Sequence, residues 1–170
     1  MTLEGMDWCH YRFCSRWDLD APPAAVFAVL ADGADYPRWW PQVREVRQID
    51  ERSGAARFRS LVPYDLWVIV SEARQDPADG VLEIGFSGDL EGWARWTVLP
   101  HGNGTRAFFE QEVVARKPLL RRLALPGRPV FRANHALMMR SGLRGLRARL
   151  ATKSARPSGP ASPPSGGNAV

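Results

Sequence analysis

The chain has 170 residues and 19.0 kDa, 45 % of them hydrophobic and 24 % charged, the balance of a globular domain able to bury one sizeable core. No apolar run approaches the roughly 20 residues that cross a bilayer, and Met1–Trp8, with Glu4 and Asp7, lacks the basic-then-apolar order of a secretory signal; a cytoplasmic location is the expectation. The net charge of +5 is unevenly placed: Arg116 to Arg156 holds 12 Lys or Arg and no Asp or Glu, leaving 11 basic against 18 acidic residues elsewhere.

In chain order, residues 1–9 are a short N-terminal extension. Tyr11, Phe13, Ser15, Trp17 and Leu19 then alternate with polar positions, the pattern of a strand with one buried face. Asp20 is positioned to cap a short helix in which Pro22 and Pro23 suit the first turn and Val26, Phe27, Val29 and Leu30 recur at helical spacing. That helix ends near Asp32 and Gly33, and Tyr36 to Trp40 forms a second, closed by Pro41. Strands follow at about Val43 to Asp50, Ala55 to Val62, Leu66 to Gln75, Val81 to Ser87, Trp93 to Leu99 and Thr105 to Val114, separated by Gly, Pro, Asn and Asp turn residues. With the first strand they make a seven-stranded antiparallel sheet. Leu119 to Leu123 adds one or two helical turns, Pro126-Gly127-Arg128-Pro129 interrupts them, and the main helix runs from Pro129 through Leu150. Residues 10–151 form the domain, and the Pro/Ser/Gly-rich 152–170 reads as a disordered tail.

Turn lengths set which residues face inward. A turn over His101 to Gly104 pairs Trp96 with Phe109 and Ala94 with Gln111, leaving Arg95, Arg106, Glu110 and Glu112 on the outer face. A three-residue turn at Pro63 to Asp65 pairs Ser60 with Val68 and Phe58 with Val70. Another at Asp89 to Glu91 turns Leu82, Ile84 and Phe86 inward, whereas a turn one residue different brings in Glu83 instead. On the last helix, Phe131, His135, Met138, Gly142 and Leu146 form a stripe, with Asn134, Met139 and Leu143 beside it. Laid across a curved sheet, this stripe encloses a mostly apolar cavity with Ser60, Gln111, Asn134 and His135 as polar groups and an adaptable methionine lid.

The fold class is therefore α+β. The order strand, two short helices, six-strand meander and long final helix resembles the helix-grip fold of the START-like (SRPBCC) superfamily. Trp17-Asp18-Leu19-Asp20-Ala21-Pro22-Pro23-Ala24-Ala25-Val26-Phe27 and Tyr36-Pro37-Arg38-Trp39-Trp40-Pro41 are similar to its polyketide cyclase/dehydrase and lipid-transport branch. The likeness covers about Tyr11 to Leu150. It implies a hydrophobic ligand (polyketide-, lipid-, sterol- or quinone-like) that some members cyclise and dehydrate and many only carry or sense. The branch has no universal catalytic motif, so no catalytic residue carries over, and the break at Pro126 to Pro129 departs from an unbroken final helix.

Candidate ligand-binding residues are Phe58, Ser60, Val68, Phe86, Trp96, Phe109, Gln111, Asn134, His135 and Met138. His135, with an ordinary pKa near neutrality, is a weak candidate for acid–base work, and a hydrogen-bonded structural histidine is the plainer reading. Trp39 and Trp40 read first as a plug where the second helix meets the second strand, with ligand stacking as the alternative. Cys9 and Cys14, about 16 Å apart on an extended strand and on opposite faces, cannot bridge. The three histidines show no metal-ligand spacing, so neither metal nor cofactor is expected. The basic strip reads as a helix face docked on the acidic body, ahead of peripheral contact with anionic membrane. Arginines without interleaved aromatics argue against nucleic acid. Nothing in the sequence signals an oligomeric state.

Overall fold

A computed structural model describes residues 9–59, 64–122 and 124–155. The first eight residues, the segment 60–63 with Ser60, and the tail from 156 lie outside the described residues. The elements are β1 (His10–Leu19), α1 (Pro23–Ala31), a 3-10 turn (Gly33–Asp35), α2 (Tyr36–Trp39), β2 (Val43–Gln48), β3 (Ser53–Arg59), β4 (Asp65–Asp76), β5 (Val81–Gly88), β6 (Leu90–His101), β7 (Gly104–Ala115), α3 (Pro118–Arg122) and α4 (Ala124–Ser154).

The strands form one curved antiparallel sheet in the order β1-β7-β6-β5-β4-β3-β2. Register shifts between Val43 and Glu45 and between Glu72 and Arg74 are bulges, and bulges bend strands. The β6–β7 register is the expected one, with Trp96 opposite Phe109 and Ala94 opposite Gln111. The β3–β4 register differs: Phe58 faces Leu66 and Ala56 faces Val68, because the connection is longer than three residues. At β5–β6 the pairing is Phe86 with Gly92 and Ile84 with Ala94, again displaced by an even number of positions. An even slip leaves every side chain on its face. Glu83 faces outward, where Arg95 Nε donates to its Oε2 at 2.7 Å.

Two helical details differ from expectation. Asp20 does not cap α1; Pro22 occupies the cap position with no side-chain bond. The final helix is unbroken from Ala124 to Ser154 with Pro129 inside it. Pro126 falls in the first turn, where backbone N–H groups have no intrahelical acceptor anyway, so only Pro129 removes a bond.

α4 meets the sheet unevenly. Its second half is packed: Met139, Leu146 and Leu150 join Trp17, Trp40, Trp96, Val26 and Val29 in the main core. Trp39 and Trp40, 5 % and 7 % exposed, wedge between α2 and α4, and Trp40 Nε1 donates to Met138 O at 3.0 Å. A separate apolar cluster of Tyr11, Val113, Ala115 and Leu120, with Phe131 against it, holds the other end. Between these anchors α4 reaches the sheet through His135, at Phe13 and Gln111, and leaves a gap beside it.

Part of the basic strip docks on the acidic body. Arg149 Nε lies 2.7 Å from Asp35 Oδ2, Arg147 Nη2 donates to Asp18 O at 2.9 Å, and Lys117 Nζ sits 3.3 Å from Asp89. Asp35 is 4 % exposed, and its second cation, Arg38 at 3.3 Å, is largely in solvent. Arg149→Met is therefore expected to cost about 1–2 kcal/mol, less than the loss of a sole partner because Arg38 remains. Urea unfolding of the two proteins at pH 7 measures it.

Candidate functional site: a cavity between sheet and helix

The gap under the first half of α4 is a cavity of about 560 Å³, within the roughly 300–1,000 Å³ of sites that hold drug-sized ligands. The inner faces of β3 to β7 supply Phe58, Leu66, Val70, Phe86, Trp96 and Phe109, and α4 closes it with Phe131, Asn134, His135 and Met138. Every strand contributes alternate residues, which is why the wall is apolar while the outer face carries ion pairs. Of the expected site residues, Phe58, Phe86, Trp96, Phe109, Gln111, Asn134, His135 and Met138 meet around this one space. Val68 does not: it shares the inner-face parity and is 2 % exposed, but lies between Ala56 and Gly88 and is absent from the wall.

The lining is graded. At one end the β2–β3 hairpin brings Asp50 and Arg52, and β4 brings Glu72 and Arg74, to the rim. Glu72 pairs with Ile84 in the inner register and has Arg52 Nε at 3.5 Å. Deeper in, polar side chains are neutral. His135 Nε2 is 3.1 Å from Gln111 Oε1, and the ring stacks on Phe13 with centroids 3.8 Å apart and planes 9° from parallel. Burial alone pushes its pKa down to about 4, because an imidazolium there has no counter-charge. At neutral pH the ring is uncharged. With Gln111 Oε1 as the acceptor in this contact, Nε2 carries the proton, Nδ1 keeps a lone pair and the Gln111 NH₂ remains a donor.

Sequence reasoning missed Tyr11 and Tyr64, which also line the cavity. Tyr11 was legible as inward-facing from its parity with Phe13 and Trp17; that it borders open space was not. Among the described residues no group of His, Cys, Asp and Glu side chains is arranged to hold a metal.

The family described as polyketide cyclase/dehydrase and lipid transport matches residues 13–151. The chain belongs to this family. No curated protein matches it by sequence. Among solved structures it is similar to TTHA0849 from Thermus thermophilus (TM-score 0.71, 18 % identity, covering 85 % of this chain and 99 % of that one). It is also similar to the Zhui aromatase/cyclase from Streptomyces sp. R1128 (0.65, 15 % identity, 88 % and 98 %) and to a START superfamily protein from Mycobacterium smegmatis (0.66, 14 % identity, 84 % and 98 %). At these identities the likeness is one of fold. Family and fold together give the site its coarse meaning, a hydrophobic-ligand or polyketide-cyclase type of function.

Proposed function

We propose that this family member binds a hydrophobic, ring-containing or lipid-like molecule in the cavity and carries or presents it in the cytoplasm. The observation that supports the reading best is the 560 Å³ apolar space between the sheet and a helix anchored at its two ends and, through His135, at Phe13 and Gln111. Phe58, Phe86, Trp96, Phe109 and Met138 supply the apolar contact, while Gln111, Asn134 and His135 orient a polar group of the ligand. Native mass spectrometry after gentle purification is expected to show an apolar compound, and an apolar fluorescent probe is expected to compete with it. An empty protein that also binds no such probe ends this reading.

A second reading is an aromatase/cyclase of the lyase type, favoured by the His135–Gln111 pair. His135 Nδ1 would take a proton from a methylene flanked by two ketones, the enolate carbon would attack a third ketone, the resulting alkoxide would take that proton back from the imidazolium, and loss of the hydroxyl with a neighbouring C–H proton as water would complete the ring. A base with a pKa of about 4 is poorly matched to proton abstraction at neutral pH, where a value near the working pH is most effective, so carriage leads. A product profile left unchanged by His135→Ala removes the second reading.

A third concerns the outward face of α4, where Val130 and Leu137 are exposed beside the exposed Arg132, Arg140 and Arg144. That combination suits peripheral contact with anionic lipid. Failure to sediment with phosphatidylserine vesicles even at low salt ends it.

A further inference from the structure

Glu72 carries a charge where the rest of the sheet's inner face has none. It is opposite Ile84 in a row that continues through Ala94 to Gln111, and it lines the cavity. Among the described residues it is the only charged side chain at an inward position of β3 to β7. It sits at the β4 bulge between Glu72 and Arg74, a device that re-aims a side chain. Its own cation does not account for it. Arg52 Nε is 3.5 Å away and the Arg52 side chain is 67 % exposed, a long and wet pair that contributes little to stability. Arg74, the other cation at this end, is held by Asp76 and Asp79 at 2.8 Å each. Asp32, Asp50 and Glu51 also border the cavity, so the mouth carries excess negative charge.

We propose that the Glu72 carboxylate accepts hydrogen bonds from an ammonium group of the bound molecule, so that the cavity takes a cationic amphiphile with its ring body inside and its amine at the mouth. The inference rests on the ligand-binding reading above and adds the class of ligand. A bond from an ammonium N–H to a carboxylate is about twice as strong as a neutral one, and a guest against the apolar wall displaces the water that weakens the Arg52 contact. Ammonium and guanidinium then compete for one carboxylate. The guest has the advantage, because its ring body is buried as it binds while the Arg52 side chain is free to turn into solvent. Along the row, Glu72 and Gln111 are three strand spacings apart, about 14 Å, with Ile84 and the small Ala94 between them. Rings lying across those two residues put the amine at Glu72 and a neutral polar group toward Gln111 and His135. An anionic guest is repelled at the mouth by the same carboxylates.

The experiment is calorimetric titration of the full chain with 2-naphthylmethylamine, 2-naphthylmethanol and 2-naphthoate at neutral pH and low salt. The wild type is expected to bind the amine about five- to tenfold tighter than the alcohol, and the carboxylate most weakly. Glu72→Gln is expected to abolish the preference for the amine over the alcohol. Arg52→Ala, which frees Glu72, is expected to raise amine affinity about two- to threefold, the opposite of what loss of a structural ion pair would do. Glu110→Gln makes the same charge change on the outer face, where Glu110 lies beside Arg95, and is expected to keep the preference. Four results overturn the subsite alone: an amine preference absent from the wild type or surviving in Glu72→Gln, its loss in Glu110→Gln, weaker amine binding by Arg52→Ala, or a carboxylate bound as tightly as the amine. No binding of any of the three to the wild type overturns the cavity reading and the subsite with it.

Discussion

Gly145→Ala is expected to destabilise the fold by about 3 kcal/mol or more, against the usual gain from replacing glycine inside a helix. A Cβ on Gly145 would lie 1.6 Å from the backbone oxygen of Trp39 and 2.7 Å from its carbonyl carbon. Backbone cannot rotate away as a side-chain tip can, so α2 and α4 must separate. Alanine contributes about 1 kcal/mol of helix propensity, whereas overpacking of this severity reaches or exceeds the upper end of the roughly 1–3 kcal/mol range; the overlap wins. Gly142 is held by the same interface, because a Cβ there comes within 2.6 Å of Trp40 Cε2, on a ring fixed by its bond to Met138 O. Gly33, with nothing within 4 Å of a built Cβ, is the control: Gly33→Ala is expected within about 0.5 kcal/mol of wild type. Guanidinium unfolding of the variants decides it. Equal stability of Gly145→Ala and wild type would show that the two helices do not touch as described.

Acid should destabilise the protein through His135 by up to about 3 kcal/mol. The folded-state pKa is depressed to about 4 from 6.5, so between those values the unfolded chain binds the proton and the folded chain does not. Stability from this group is complete above pH 6.5 and is lost as the pH falls to 4, each unit of depression being worth about 1.36 kcal/mol. His135→Phe removes the difference. Plotted against pH, the stability of wild type minus that of His135→Phe is expected to fall by about 2–3 kcal/mol from about pH 7 to about pH 4. The carboxylates titrate alike in both proteins and cancel in that subtraction. A flat difference would place the imidazole in water, outside the cavity wall.

Both expectations concern contacts between distant parts of the chain, and this separates what was legible early from what was not. Inward and outward faces were legible. Trp96 opposite Phe109 and Gln111 opposite Ala94 follow from alternation and one turn length. Even where the β3–β4 and β5–β6 registers differ from expectation, the slips are even and leave Phe58, Leu82, Ile84 and Phe86 inside. The arrangement of α4 was less so, because a Pro-Gly-Arg-Pro run reads as a break unless the first turn happens to begin at Ala124. By pattern Gly142 is one more member of the helical stripe, and nothing local marks Gly145. Only α2, far earlier in the chain, turns them into requirements.

The sequence by itself determined the strand faces, the element order and the apolar stripe of the last helix, because each is a local periodicity of about two or 3.6 residues that neighbouring positions impose on one another. The tertiary structure alone decided that His135 bridges the helix to the sheet beside an open cavity, that Val68 is packed rather than lining, and that Glu83 pairs with Arg95 on the outer face. Those properties depend on distances between elements, and such distances follow from how bulges, glycines and tryptophans far apart in the chain pack against one another.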